Sequence, residues 1–354
     1  MSETRVTGAA LESFISGILE ANGLTVQDAG IVAGLMTTAD LIGQDGHGVF
    51  RLAQYVKRIR AGGINPSPAF SLAEDYPASA VVDGDNAMGH LVMNHAADLA
   101  VDKARQTGVA WVGSRNSNHA GPASLYAMKA LPEDMIGLYV AVGSANHMPP
   151  WGGTDMLLST NPIAVAIPAA KRPPIILDMA TTVAAYGKVK TAAQRGEMMP
   201  EGWMIDREGK PLLDPKRSAE GFLLPIGGPK GYGLSLVFGI LAGVLNGAAF
   251  GRNVVDFNAD SVTQTNTGQF ILMLNIAAFM DPAAFKTSID AVWDEMKSSE
   301  RLPGVDDIRL PGERLEATRR ERSAKGIPIP PALLAVLDGL ADETGVPKVD
   351  RKAG

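Results

Sequence analysis

From Gly231 to Gly251 the chain carries no charged residue, and Lys230 and Arg252 bracket the run. A stretch of about 20 uncharged residues is long enough to span a bilayer. This segment must therefore end either in lipid or against the protein's own interior. Gly231, Gly233, Gly239, Gly243 and Gly247, with Ser235 and Asn246, dilute its hydrophobicity, and the chain has no second such segment. The expectation is a buried core helix over 231–247, with another element packed closely along its glycines. A membrane-embedded protein is the rival, and it rests on this run alone.

The composition agrees with a soluble chain. Of the 354 residues 46% are hydrophobic and 20% charged, an ordinary globular balance. At ~100–200 residues per domain the length suggests two or three lobes. A net charge of −6 argues against a non-specific nucleic-acid binder, which needs a basic surface. The absence of cysteine excludes disulfides, thiolate nucleophiles and zinc–thiolate sites. The N-terminal MSETRVTGAALESF has early charges and no apolar core of the secretory kind, so cytoplasm is expected.

Residues 1–65 read as helices. Leu11, Phe14, Ile15, Ile18 and Leu19 follow a helical rhythm, and Thr25 caps a second helix carrying Val32, Leu35, Met36 and Ala39. A third helix is expected from about His47 to Gly62-Gly63, and the two prolines of INPSPAF then mark a boundary that no helix crosses. The middle alternates. Val109–Val112, Met135–Val142, Ile163–Ile167, Ile175–Leu177 and Phe270–Leu274 read as strands. A helix carrying Leu125, Tyr126 and Met128 lies among them, and another spans 282–299. Strands mixed with helices indicate an α/β lobe over 76–299. The last 50 residues turn helical again (314–324 and 331–341), so 300–354 is expected to return to a helical domain formed by 1–75.

Three constellations offer chemistry. In GHGVFRLAQY, His47, Arg51 and Tyr55 recur every four residues and would share one helix face. Arginine clamps a carboxylate bidentately, and histidine moves a proton near neutral pH. A solvated polar face with a capping histidine explains the spacing equally well. SRNSNHAG places Asn118 and His119 between a strand and a helix, where α/β sheets bind ligands; an ordinary Asn-rich loop would look the same. GGPKGYG opens the uncharged run, so its amides and Lys230 suit a phosphate, although a tight turn is the simpler explanation of this loop alone. No GxGxxG follows a strand, so a conventional Rossmann site is not expected. His90, His95 and His147 have no metal-ligand spacing, so no metal is expected.

Taken in order, DGHGVFRLAQYVKRIRAGGINP, SNHAGPASLYA, PPWGGTDMLLSTNPIAVAIP, ILDMATTVAAYGKV, PEGWMID, LLPIGGPKGYGLSLVFGILAGVLNGAAFG and RLPGER resemble the malate/L-lactate dehydrogenase family that lacks the Rossmann fold. That family includes sulfolactate, ureidoglycolate and diketogulonate oxidoreductases and piperideine-2-carboxylate reductases. The resemblance implies a mixed, mostly antiparallel seven-stranded sheet flanked by helices, with a helical domain built from both chain ends. It implies NAD or NADP as cofactor, a small substrate with a carboxylate, and a homodimer. By motif, His47 or His119 would be the catalytic acid/base, and Arg51, Tyr55, Thr160 and Asn161 would bind substrate. Asp178, Met179, Ala180, Lys230, Gly231, Gly312 and Glu313 would touch the cofactor.

Three departures bear on this. Gly46 stands where the family usually has serine, Pro229 where it usually has histidine, and Ser144–Met148 where it has a Ser/Thr-rich loop. The expected activity is hydride transfer between NAD(P)H and a small 2-oxo or 2-hydroxy acid. Reduction of cyclic 2-imino acids needs the same arginine and proton donor and is the alternative. A non-catalytic metabolite sensor is the rival that Gly46 would hint at.

Overall fold

The structure is a computed structural model that describes residues 4–351. α1 (Gly8–Glu20) and α2 (Val26–Leu41) begin at Thr7 and Thr25, whose hydroxyls accept from the amides of Ala10 and Asp28. Leu11, Phe14, Ile15, Ile18 and Leu19 of α1 are all buried, as their spacing requires. The two ends of the chain meet here. β1 (Thr4–Val6) pairs antiparallel with β11 (Ile327–Ile329), and α10 (Pro331–Thr344) adds Leu334, Leu337 and Leu340 to the same core. α9 (Glu313–Lys325) packs beside α2, where Arg322 binds the Asp40 carbonyl and Asp45.

The third helix differs from the expectation. α3 runs only from Leu52 to Arg60, after two short 3-10 turns at Asp45–His47 and Val49–Arg51. The break falls at Gly48. A Cβ there would sit 2.1 Å from the buried Asp40 carboxyl, which accepts the Val49 amide at 2.8 Å. Asp40 thus caps a new start where a continuous helix would have put a side chain. Burial pushes its carboxyl up to about 8.

The central sheet has seven strands in the order β2-β3-β4-β10-β5-β6-β7. They are β2 (Ser71–Tyr76), β3 (Ser79–Asp83), β4 (Val109–Ser117), β5 (Met135–Ala141), β6 (Ile163–Ile167), β7 (Ile175–Met179) and β10 (Thr267–Asn275). Only β3 and β4 run parallel. The mixed, mostly antiparallel architecture is therefore as expected. β2 starts a few residues ahead of the boundary read at 75/76.

Side chains alternate across the strands. Ala110, Val112, Ile271 and Met273 face α4 (Gly89–Thr107) and α5 (Ser124–Ala127). Trp111, Phe270 and Leu272 face the other way, toward α7 (Pro229–Ala242), and the Trp111 and Phe270 rings stack at 3.7 Å. β4 is longer than its apolar run. Ser114–Ser117, read as loop, continue the ladder because each polar group finds a partner. The Ser114 hydroxyl donates to Gln269 at 2.8 Å, and Arg115 pairs with Asp83 at 3.0 Å. α6 (Tyr186–Arg195) packs with the hairpin of β8 (Met204–Asp206) and β9 (Gly221–Leu223) in a small separate cluster. α8 (Pro282–Ser298) closes the outer surface, where Asp290 accepts amides of residues 170–172.

The uncharged run is not a helix buried all round. α7 ends at Ala242 and a 3-10 turn follows at Val244–Asn246. Leu234, Val237, Ile240, Val244 and Leu245 are exposed. Its glycines admit the chain's own turns: a Cβ at Gly239 would meet Phe250 at 2.5 Å, and one at Gly231 the Ile226 carbonyl at 2.0 Å. Among the described residues no helix is long and apolar enough to cross a membrane.

Gly89, at the start of α4, sits against the loop that carries Asn118 and His119. A Cβ would lie 2.1 Å from the Asn118 carbonyl. Gly89→Ala is expected to destabilise the fold by about 1–3 kcal/mol, the usual cost of overpacking. Denaturant titration measures this, and an unshifted midpoint would contradict the packing described.

Candidate active site

Asn118 fixes the loop after β4. It is fully buried, and its amide donates to the carbonyls of Asn86 and Ala87 and to the Asn86 side chain. Its Oδ1 accepts from Thr265, and its carbonyl from Gln269. With every group satisfied, the amide is structural, and it holds the next residue, His119, in place.

α3 is anchored on the 256–263 loop. Gln54 donates to the Phe257 carbonyl at 2.8 Å, and the fully buried Arg58 donates to the carbonyls of Gly63, Thr263 and Asp260. That brings Tyr55 to His119. The Tyr55 hydroxyl lies 2.6 Å from His119 Nδ1, and the Gly121 amide also donates to Nδ1 at 3.4 Å. Burial pushes the Tyr55 phenol up, so it stays protonated and donates. With two donors on Nδ1, the neutral ring carries its proton on Nε2.

His47 stacks on His119, the rings 5.2 Å apart and 8° from parallel. Phe257 packs against both His119 and Tyr55. His47 Nδ1 is buried with no partner. Burial first, and the Arg51 charge second, push His47 down to about 4. His119 is pushed well below the usual imidazole range by burial and by His47, Arg51 and His90. Both rings are neutral at pH 7. Arg51 donates Nε to the Gly46 carbonyl at 2.9 Å and Nη1 to Asn258 at 2.8 Å, which leaves Nη2 unpaired. Gly46 itself is exposed, with open space where a Cβ would stand.

The three segments expected around a ligand are stitched together by backbone bonds. The Thr181 amide and hydroxyl donate to the Thr160 carbonyl at 2.9 Å, and the Ile226 amide donates to the Thr181 carbonyl at 3.0 Å. Asn161 is used structurally: it accepts the Gly143 amide and donates to the Ser235 carbonyl. Glu313 is likewise engaged, with the Leu310 amide and Lys297. Asp178 accepts the Ser124 amide at 3.0 Å, and burial raises its carboxyl. Asp178 and Gly312 line one cavity of about 280 Å³ with Gln44, Arg309 and Arg314. Met179, Ala180, Lys230, Gly231 and Glu313 lie outside that lining.

A nicotinamide dinucleotide can be tested against these features. Gly228 adopts φ +64° ahead of α7, and Lys230 is exposed without an ion pair among the described residues. A helix start with free amides and a lysine suits a phosphate. The cavity, small beside ligand pockets of ~300–1,000 Å³, has room for one end of a dinucleotide. The residues present fit such a cofactor.

Phe257, Asn258 and Arg58 shape the site yet carry no chemical signal in sequence, because their roles arise from long-range contacts. His147, isolated in sequence, stacks on Tyr186 of α6 at 4.1 Å.

The comparisons with known proteins agree with this geometry. The family description "Malate/L-lactate dehydrogenase" matches residues 6–338. L-sulfolactate dehydrogenase of Methanocaldococcus jannaschii is 37% identical, covering 95% of this chain and 96% of its own. The solved structure of sulfolactate dehydrogenase from that organism superposes with a TM-score of 0.91 at 36% identity, covering 99% of this chain and all of the other. Malate dehydrogenase of Pyrococcus abyssi is 38% identical over 97% of this chain and 95% of its own. The NAD(+) ureidoglycolate dehydrogenase of Escherichia coli K12 is 34% identical over 92% of each. On the profile match and these identities, the chain belongs to the malate/L-lactate dehydrogenase family.

Proposed function

We propose that this chain is an oxidoreductase that exchanges hydride between NAD(P)(H) and a small 2-oxo or 2-hydroxy acid. The observation that carries this is the neutral histidine pair stacked beside a half-free arginine. Arg51 Nη2 takes the substrate carboxylate, which brings the 2-oxygen to the histidines. When bound, the nicotinamide supplies or accepts the hydride. His119 moves the proton: its ring is oriented by Tyr55, as a catalytic base is by a third group. In oxidation the ring first shifts its proton to Nδ1, where the Tyr55 oxygen accepts the hydrogen bond, and Nε2 then takes the hydroxyl proton to give the imidazolium. In reduction, the substrate carboxylate offsets the Arg51 charge, so His119 protonates more readily in the complex than in the free chain. His47 stacks against His119 and keeps water from one face of it. The glycine loop with Lys230 holds the cofactor phosphates, and the cavity beside Asp178 and Gly312 holds one of its ends.

The exposed apolar face of α7 supports a homodimer. Leu234, Val237, Ile240, Val244 and Leu245 form a contiguous apolar surface of the kind that subunits cover. Light scattering is expected to give twice the chain mass, and Val237→Glu to give the monomer; a wild-type monomer at micromolar concentration would contradict this.

Turnover tests the chemistry. NADH or NADPH oxidation is followed with pyruvate, oxaloacetate, sulfopyruvate and 2-oxoglutarate. His119→Ala is expected to lower kcat by ~10²–10⁴-fold, and Tyr55→Phe by less. Full activity in His119→Ala would contradict the assignment. The pH profile is a second check. A proton-accepting ring held well below 6.5 stays in its base form as pH falls. The kcat/KM for hydroxy-acid oxidation should therefore stay level from about pH 8 to about pH 6 and decline only below that. A half-loss centred at 6.5 would contradict it.

A further inference from the structure

His90 is a buried imidazole with no task in the proposed proton transfer. It is the second residue of α4, it is fully buried, and neither ring nitrogen has a hydrogen-bond partner among the described residues. Buried polar groups are nearly always paired, so an unpaired ring in the interior calls for a reason. Packing alone does not supply one. An apolar side chain of similar volume would fill the space without burying two unpaired polar atoms.

The neighbours of this ring are the two residues that donate to His119. The His90 and Tyr55 rings meet edge to face, their centroids 5.4 Å apart and their planes at 89°. His90 Nε2 also stands 2.9 Å from the point where a Cβ of Gly121 would lie. The Tyr55 hydroxyl and the Gly121 amide are the donors on His119 Nδ1. Gly121 has φ +76° and no side chain to anchor it. The residues before it are pinned, Asn118 by its amide on Asn86 and Ala87, and Ala120 by its carbonyl on Tyr126. At Gly121 itself, His90 takes up the place that a side chain would fill. Gly89 permits this, because without a Cβ there α4 starts against the Asn118 carbonyl and brings His90 to the turn. Burial first, and His47 second, push His90 down to about 3, so at pH 7 the ring is neutral and adds no charge beside His119.

We infer that His90 is a positioning residue: by packing against both the Tyr55 ring and Gly121 it fixes the two donors on His119 Nδ1, and with them the orientation and tautomer of His119. It acts through His119 and touches no reacting atom. Without it, Tyr55 and Gly121 shift independently, their bonds to Nδ1 weaken, and the Nδ1–H form of His119 gains population. This inference rests on the proposed role of His119 as the group that moves the proton, and it names what holds that ring ready.

The test combines turnover with the ¹⁵N spectrum of His119 in wild type, His90→Ala, His90→Leu and His90→Gln. His90→Ala should lower kcat ~10-fold or more and leave KM within about twofold. Its His119 signal at pH 7 should blur from the Nε2–H pattern toward a mixture of tautomers. His90→Leu, which keeps the buried volume, should do the same, so that a folding defect in His90→Ala does not decide the matter. His90→Gln, whose amide can stand where Nε2 does, should recover most of kcat and the wild-type His119 pattern. An unchanged His119 spectrum in His90→Leu and in any folded His90→Ala, whatever happens to kcat, would overturn the positioning role and leave the hydride-transfer reading standing. No turnover by wild type with either cofactor would overturn that reading, and the spectra would still decide what His90 does.

Discussion

The hydrogen bond from Tyr55 to His119 joins the two halves of the molecule at the point where chemistry is proposed. Tyr55 belongs to a helix whose other face packs in the terminal helical core, and His119 to a loop at the end of a central strand. The bond is short, buried and flanked by Phe257. In such surroundings an unmade bond would cost the full desolvation of its groups, so each half constrains the other. It also settles the tautomer of the imidazole, and hence whether the ring offers the cleft a donor or an acceptor.

Close backbone approach holds this arrangement. Gly89 lets α4 touch the Asn118 carbonyl, Gly48 makes room for the Asp40 carboxyl, and Gly231 lets α7 begin against Ile226. At each position a methyl group would overlap a backbone or buried carboxyl oxygen. These glycines set the positions of His119, His47 and Lys230 respectively. The neutrality of the histidines comes from the same dense packing. Burial is the largest cause for both, and Arg51 reinforces it.

Much of this was legible in sequence. The apolar strand runs and the helical rhythm of α1 and α2 mark their elements because the buried side chains are large and regularly spaced. The segments that carry His47, Arg51 and His119 are marked by chemistry and by order along the chain. The features that escape the sequence depend on distant partners. The break at Gly48 is caused by Asp40, eight residues earlier. The polar end of β4 becomes strand only because Gln269 and Asp83 satisfy it. α4 buries Ala96, Ala97, Ala100 and Ala104, residues too small to print a strong rhythm. By motif Tyr55 would bind substrate; that its hydroxyl meets His119 Nδ1 follows only from the fold. Asn258 acquires meaning only once Arg51 is placed beside it.

The central claim is that His119 is a neutral, Tyr55-oriented imidazole with its proton on Nε2. With five histidines in the chain, each ring can be followed by ¹⁵N NMR after histidine labelling. His119, assigned by its loss in His119→Ala, should show the neutral Nε2–H pattern at pH 7 and resist protonation well below the usual imidazole range. In Tyr55→Phe its tautomer signature should blur toward a mixture. An imidazolium at pH 7, or a neutral ring with its proton on Nδ1, would contradict the account.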